Sequence, residues 1–168
     1  MNATGGPRPC SCCGESEASA PKGTCPACGR AGKPVQATTM RALLDPRAGA
    51  TLIEGTWRFC ESPDCEVVYF NLDMGQTFLK HQLTVRVGIK EIEAPRPLCY
   101  CFGHSVESLQ AEWEATGRLD SVEAIRAAVK EGRCRCDQLN PSGSCCLGEV
   151  LKVAKAIQEA SAPRPGKG

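Results

Sequence analysis

The sequence has few aromatic residues, few histidines and no long apolar segment. Phe, Trp and Tyr together make up 5% of the 168 residues, which is too little for a large aromatic core. No apolar run approaches the ~20 residues that a membrane-spanning helix needs. Residues 1–7 show neither the basic stretch nor the apolar segment of a signal peptide. The sequence therefore predicts a cytoplasmic protein with no membrane partner.

A strong charge of either sign is also missing. The 20 basic and 19 acidic residues leave a formal net charge of +1, and a near-neutral chain lacks the basic surface that nucleic acids attract. Nucleic acid is therefore not an expected partner. A zinc ribbon that binds nucleic acid is the least favoured of the functions considered.

Catalytic motifs are lacking as well. The sequence has no glycine-rich phosphate loop and no serine–histidine pattern, and Glu112 and Glu114 have no carboxylate partner suited to general acid–base chemistry. The two histidines are His81 and His104. A Rieske-type site needs two histidines on one iron, but thiols are better candidates here, so we expect both histidines at the surface. The sequence predicts a protein that is not an enzyme.

Cysteine, in contrast, is abundant, with 13 thiols in the chain. A cytoplasmic protein keeps its thiols reduced, and clustered cysteines are then metal ligands rather than disulfide partners. Units of ~70 residues bury too little surface to be stable on packing alone and often need a metal. The cysteines therefore predict metal centres that stabilise two small units.

The first centre is predicted from two cysteine pairs. Cys25 and Cys28 form a Cys-x-x-Cys turn followed by Gly29, which permits the positive φ that aims backbone N–H groups at sulfur. Cys60 and Cys65, four residues apart, supply the second half of a tetrahedral site. Four thiolates leave no open coordination position, so the predicted zinc is structural.

The second group of cysteines lies at the two ends of a predicted helical hairpin. Six thiols are too many for a core of that size and suit a soft metal centre, either one zinc or an iron–sulfur cluster. Their positions are Cys99, Cys101, Cys134, Cys136, Cys145 and Cys146.

The fold class predicted from local patterns is α+β. A zinc-knuckle unit with short antiparallel strands precedes a helical unit. Residues rich in β-branched and aromatic side chains predict the strands, and apolar residues at helical spacing predict the helices. Ser105 and Asp120 are the expected helix N-caps, with Gly117 and Gly132 as the matching ends. The predicted strands cover residues 35–39, 56–59, 67–70 and 84–87, a helical turn covers 40–44, and a third helix runs from about 146 to 158.

The domain organisation follows from the same patterns. Residues 25–94 are the predicted zinc-binding subdomain and residues 95–160 the cluster-binding subdomain, with a short stiff linker at 93–97 that favours packing of one on the other. Residues 1–24 are a predicted disordered leader and residues 161–168 a flexible tail. The leader contains thiols that either capture a soft ion such as Cu(I) transiently or have no specific role. These are Cys10, Cys12 and Cys13.

The second half resembles the bacterioferritin-associated ferredoxin family. In that family a Cys-x-Cys turn, a helical hairpin and a later cysteine pair hold a 2Fe–2S cluster, with the last thiolate at a helix start. Cys145 is the alternative to Cys146, and Cys134 the alternative to Cys136. The resemblance implies a 2Fe–2S cluster held by Cys99, Cys101, Cys136 and Cys146.

A wider resemblance covers residues 25 to about 158. The order of the motifs is similar to the N-terminal domain of the archaeal-type copper chaperone CopZ family. That family also has a copper-binding domain with a Met-x-Cys-x-x-Cys loop, which this sequence lacks, so we expect a separate protein to carry it. The motifs are Cys25-Pro26-Ala27-Cys28, the pair Cys60 and Cys65 followed by Glu66-Val67-Val68-Tyr69-Phe70, then Arg86-Val87-Gly88, Cys99-Tyr100-Cys101 and Asn140-Pro141-Ser142-Gly143 before Cys145-Cys146.

The resemblance implies a metal-binding redox protein that is accessory to copper handling. We expect a zinc subdomain joined to a 2Fe–2S subdomain, and either single-electron reduction of Cu(II) to Cu(I) or electron transfer to a partner. The expected partner is a soft metal ion such as copper, or a redox or copper-binding protein. The alternative is an assembly or regulatory iron–sulfur module that has no redox role.

Overall fold

The computed structural model describes residues 23–161, which form a small antiparallel sheet followed by a layer of helices. This confirms the predicted α+β fold class. The predicted leader, except for its last two residues, and the predicted tail beyond residue 161 lie outside the described residues, and so do Cys10, Cys12 and Cys13.

The first half is built on an antiparallel sheet with strand order β1-β2-β3-β4. The central strand β3 is buried at all five of its positions, because apolar side chains cover both of its faces. Val68 and Tyr69 pack in the core with the first helices, whereas Val67 and Phe70 pack with the cysteines of the zinc motifs. The strands are β1 (Lys33–Pro34), β2 (Trp57–Phe59), β3 (Val67–Asn71) and β4 (Thr77–Leu79).

Two of the predicted strands are wrong. Residues 35–39 lead into helix α1 (Ala37–Leu43), because Met40 and Leu43 bury one helical face and this packing outweighs the β-propensity of Val35. Residues 84–87 have no ladder partner in the described part of the chain; the Thr84 N–H donates to the Leu43 carbonyl at 2.8 Å instead. The two outer strands of the sheet, β1 and β4, lie outside all of the predicted strands.

The second half is helical around a core of its own. Leu109, Ile125 and Val150 are buried there together with four cysteines of the second group, Cys99, Cys134, Cys136 and Cys146. Strands β5 and β6 form a two-stranded ribbon that leads into the helices. The elements of the two halves not yet given are α2 (Pro46–Ala50), β5 (Pro97–Cys99), β6 (His104–Ser105), α3 (Val106–Thr116), α4 (Asp120–Lys130), α5 (Cys136–Leu139) and α6 (Leu147–Ser161).

The predicted caps of α3 are confirmed, whereas the predicted N-cap of α4 is wrong. The Ser105 hydroxyl caps α3 by accepting from the Ser108 N–H, and Gly117 ends that helix with a φ of 66°. The predicted N-cap at Asp120 is wrong, because α4 already begins there and its N-cap, Leu119, makes no side-chain cap bond. Glu112 of α3 accepts from the Ser121 N–H at 3.0 Å instead, so a neighbouring helix satisfies this donor.

The two halves are packed against each other through α1 and α5. The Thr39 hydroxyl donates to the Asp137 carbonyl at 2.6 Å, and the buried Tyr69 hydroxyl donates to the Pro141 carbonyl at 2.8 Å. The helical half therefore rests on the sheet at the segment that carries Cys136 and Cys146. The subdomain boundaries near residue 95 stay a prediction. None of the helices within residues 23–161 combines the length and apolarity needed to cross a membrane.

Candidate metal centres

Four thiols of the first half converge on one point. The sulfur atoms of Cys25, Cys28, Cys60 and Cys65 all lie within 4.8 Å of one another. The Cys25–Cys65 Sγ distance is 3.9 Å and the Cys28–Cys60 Sγ distance is 3.6 Å. Zinc bound tetrahedrally at about 2.3 Å from each sulfur separates the sulfurs by about 3.8 Å. The donor set therefore fits a closed four-thiolate zinc site.

Local backbone geometry explains the position of the first pair. Gly29 has a φ of 70°, and its N–H donates to the Cys25 carbonyl at 2.8 Å, which closes the turn. A hydrogen bond from the Arg30 backbone lowers the pKa of Cys28 to about 7. The turn thus favours the thiolate form that zinc requires, as the positive φ at Gly29 predicts.

The second pair sits between strands β2 and β3. Cys60 follows β2 directly, and its N–H donates to the Val68 carbonyl at 2.8 Å. Burial raises the pKa of Cys60 to about 12 and also raises the pKa of Cys65. Buried thiols of this kind become thiolates only when a cation compensates the charge, so the energetics as well as the geometry favour a metal here.

The four predicted cluster thiols are arranged differently. Cys99 and Cys146 have their Sγ atoms 3.3 Å apart, and Cys101 and Cys136 have theirs 3.5 Å apart. Within residues 23–161, no three of these sulfurs lie within 4.8 Å of one another. The thiols therefore form two close pairs, which adjoin each other at Cys136 and Cys146, rather than one tetrahedron. A binuclear cluster with two thiolates on each iron suits this arrangement better than a single zinc.

Each of the four thiols lies at the end of an element or in the turn beside one. Cys99 ends β5, Cys101 is in the turn to β6, Cys136 opens α5 and Cys146 directly precedes α6. The Arg135 N–H donates to the Cys101 sulfur at 3.1 Å. The neighbouring Cys136 thiol and burial both raise the pKa of Cys101, whereas a hydrogen bond from Cys146 lowers the pKa of Cys99.

Cys134 and Cys145 are the two alternative ligands of the predicted cluster. Cys134 is buried in the core of the helical half. Cys145 is half-buried and lines a cavity of about 210 Å³ between the two halves, together with Tyr100 and Lys33. The sulfurs of Cys136 and Cys146 lie close to those of Cys101 and Cys99, and the choice of these two residues over Cys134 and Cys145 stays a prediction.

The loop that carries Cys146 is held by side chains that the sequence analysis assigned no role. The Asn140 side chain donates to the Ser144 carbonyl at 2.8 Å and accepts from the Ser142 N–H at 3.1 Å. Gly143 has a φ of 66°, and an added Cβ would lie 2.9 Å from the Thr39 hydroxyl. The Asn-Pro-Ser-Gly segment is therefore a shaped turn that packs on α1.

The side chain of Tyr100 holds the other cysteine turn, Cys99-Tyr100-Cys101, in place. Tyr100 lies between Cys99 and Cys101, where its hydroxyl accepts from the Gly88 N–H and donates to the Arg86 carbonyl, both at 2.8 Å. The only local signal for this role was its place within the Cys-x-Cys motif. Its partners lie more than ten residues away in sequence, so they were not predictable from spacing.

Removing the hydroxyl of Tyr69 will loosen the loop before Cys146. Tyr69→Phe leaves the Pro141 carbonyl without its donor in a buried position, which costs about 1–3 kcal/mol. We expect a lower urea midpoint. An unchanged midpoint would show that this contact does not hold the loop.

Comparison with known proteins identifies similar chains for both halves. A family model described as a zinc binding domain matches residues 22–84. The chain is 38% identical over 144 residues to the copper chaperone CopZ of Archaeoglobus fulgidus, an alignment that covers 80% of this chain and 68% of that protein.

A solved structure extends the similarity to the fold. The X-ray structure of the Archaeoglobus fulgidus CopZ N-terminal domain matches with a TM-score of 0.65 and 34% identity, over 78% of this chain and 97% of that one. The likeness of the helical half to bacterioferritin-associated ferredoxins remains a prediction.

Proposed function

Because the chain belongs to the CopZ family, we propose that it handles copper by means of two resident metal centres, a structural zinc and a 2Fe–2S cluster. The observation that supports this most directly is the presence of two distinct thiol constellations, one converging on a point and the other split into two pairs. One suits a mononuclear site and the other a binuclear site.

The zinc would be held by Cys25, Cys28, Cys60 and Cys65 and would stabilise the fold of the first half. Three of these four cysteines are buried, and a four-thiolate set leaves no position for substrate. The residues around this site therefore have a structural task, to keep the sheet and its loops together.

The cluster would be held by Cys99, Cys101, Cys136 and Cys146. Such a cluster stores and releases one electron, which is what conversion of one Cu(II) to one Cu(I) requires. The chain offers two features that stabilise negative charge there: the Arg135 N–H on the Cys101 sulfur and the N-terminus of the 15-residue helix α6 beside Cys146. Cys101 is the only one of the four that is not fully buried, so an electron acceptor approaches most closely on its side.

Copper is the acceptor and cargo in this proposal. Thiolates prefer Cu(I), and the leader contains Cys10, Cys12 and Cys13, which lie outside the described residues. The partner that receives the ion or the electron would be a copper-binding or redox protein. The reduced thiols require a reducing compartment, so a cytoplasmic location remains our prediction.

The test is anaerobic reduction of Cu(II) by the reduced holo-protein. Protein reduced with dithionite and freed of excess reductant is mixed with Cu(II) and a Cu(I)-specific chelator. We expect about one Cu(I) per cluster, formed as the visible bands of the oxidised cluster return. Reduced protein that leaves Cu(II) unchanged would contradict the copper role while leaving electron transfer to another partner open.

Two controls separate the cluster from the thiols as reductant. Cys136→Ser removes one proposed ligand and is expected to lose the cluster bands and the fast reaction together. A variant with Cys10, Cys12 and Cys13 replaced by serine is expected to keep the fast reaction. If the cluster-free protein reduces Cu(II) as fast as the wild type, thiols are the electron source and the redox role fails.

Potentiometry distinguishes the alternative function. An assembly or regulatory module needs a bound cluster but no accessible redox couple. A holo-protein with no reversible one-electron couple in the ferredoxin range would therefore favour that alternative.

A further inference from the structure

A buried lysine lies beside the zinc motifs although it belongs to none of them. Lys90 is 3% exposed and ends the short 3₁₀ turn Gly88–Lys90. We propose that Lys90 is a positioning residue of the zinc centre, which holds the Cys60–Cys65 loop and offsets the negative charge of the four thiolates. This inference depends on the zinc site proposed above.

The ammonium group holds the loop through its backbone. Lys90 Nζ donates to the Ser62 carbonyl at 2.7 Å and to the Cys65 carbonyl at 3.0 Å. Both carbonyls belong to the segment that presents Cys60 and Cys65. One side chain thereby closes the loop between two ligands, and their sulfurs are brought to face the Cys25–Cys28 turn.

The charge of Lys90 has no other compensation nearby. No carboxylate lies within ion-pair distance of Lys90 in the part of the chain that the structure describes; its neighbour Glu91 pairs with Arg86 instead. A buried cation is costly unless an opposite charge lies close to it. A Zn²⁺ ion with four thiolates carries a net charge of −2, which is the compensation that this position requires.

The electrostatics of Cys60 agree with this arrangement. Burial raises the pKa of the Cys60 thiol, whereas a hydrogen bond from the Ser62 backbone and, to a smaller extent, the positive charge of Lys90 lower it. The net charge of −2 on a four-thiolate zinc centre would attract the ammonium group of Lys90 and lower the cost of burying it.

The turn that carries Lys90 is fixed in place, so the ammonium group does not retract easily. The Gly88 N–H donates to the Tyr100 hydroxyl at 2.8 Å. A Cβ added at Gly88 would lie 1.7 Å from the Pro97 carbonyl oxygen, so the segment packs tightly on β5. Lys90 is consequently held between the zinc loop and the Cys-x-Cys turn of the second centre.

Three substitutions separate the hydrogen bonds of Lys90 from its charge. Lys90→Met fills the space but has neither donor nor charge, Lys90→Gln has donors without charge, and Lys90→Arg has both. Zinc affinity is measured on the purified holo-protein by competition with a chromogenic chelator. Substitutions next to metal ligands reduce affinity by about 10–100-fold. We expect losses in that range for Lys90→Met and Lys90→Gln, and affinity within a few fold of wild type for Lys90→Arg.

A packing control accompanies these variants. Val87→Ala truncates a buried side chain at the start of the same turn, and it is expected to lower the unfolding temperature without a comparable loss of zinc affinity. Wild-type affinity in Lys90→Gln would overturn the charge role, and equal losses in Lys90→Arg and Lys90→Met would assign the effect to shape alone.

Failure of the underlying zinc site gives a different result. In that case Cys28→Ser would retain stoichiometric zinc, and none of the Lys90 variants would change the zinc affinity. If Lys90→Met does not fold, the comparison of Lys90→Gln with Lys90→Arg still decides the question.

Discussion

Cys60→Ser will abolish stoichiometric zinc binding and unfold the first half of the protein. The Cys60 sulfur is buried and lies 3.6 Å from that of Cys28, so a serine there breaks a closed ligand set. Structural zinc sites contribute about 10–16 kcal/mol of apparent binding free energy, and a whole domain is stable by only about 5–15 kcal/mol. The loss of the metal therefore removes a free energy as large as the total stability.

The measurements are zinc per chain by elemental analysis and the thermal transition followed by circular dichroism. Glu61→Gln is the matched control in the same loop. It removes only a surface ion pair with Lys33, which is worth about 0–1 kcal/mol, and should keep both zinc and the transition. A Cys60→Ser protein that retains one zinc and a wild-type transition would show that the ligand set is wrong.

Cys146→Ser will eliminate the iron–sulfur chromophore, whereas Cys145→Ser will retain it. The Cys146 sulfur is buried 3.3 Å from that of Cys99, whereas Cys145 is only half-buried, although both residues line the cavity between the halves. The two adjacent cysteines therefore differ in burial and in their distance to the Cys99 sulfur. The loss of one of four thiolates leaves an iron without its full ligand set.

The readouts are iron per chain, the visible spectrum and the EPR signal of the dithionite-reduced protein. Cys145→Ser is the internal control, because it shows how much iron is lost during purification and by placing a serine in this loop. A chromophore that survives in Cys146→Ser and disappears in Cys145→Ser would exchange the two assignments. Survival in both variants would exclude each of them as an essential ligand.

Local signals determined where helices α3 and α6 form. The hydroxyl of Ser105 and the glycine at 117 cap α3 as the sequence indicates, because capping depends on residues within one helical turn. Apolar spacing likewise predicted α6 to within a few residues of Leu147–Ser161. Interactions of this kind are complete within a short segment, so distant parts of the chain do not alter them.

The zinc motif was predictable for the same reason. A Cys-x-x-Cys turn with Gly29 behind it specifies its own backbone geometry. Spacing also identified Cys60 and Cys65 as the second pair, and the structure brings all four sulfurs together. Only the assignment of these residues as zinc ligands still needs the experiment described above.

Tertiary packing decided the conformation of residues 35–39 and the long-range hydrogen bonds, which local patterns did not predict. Val35 has high β-propensity, yet residues 35–39 lead into α1 because the helix buries Met40 against the sheet. The same packing lets the hydroxyls of Thr39 and Tyr69 donate hydrogen bonds to backbone carbonyls of the second half. In a third long-range contact, Lys90 donates a hydrogen bond to the Cys60–Cys65 loop. The sequence by itself thus determined which cysteines group on local turns. The fold decided which sulfurs pair and which buried side chains hold them, because those contacts join residues that are 25 or more positions apart.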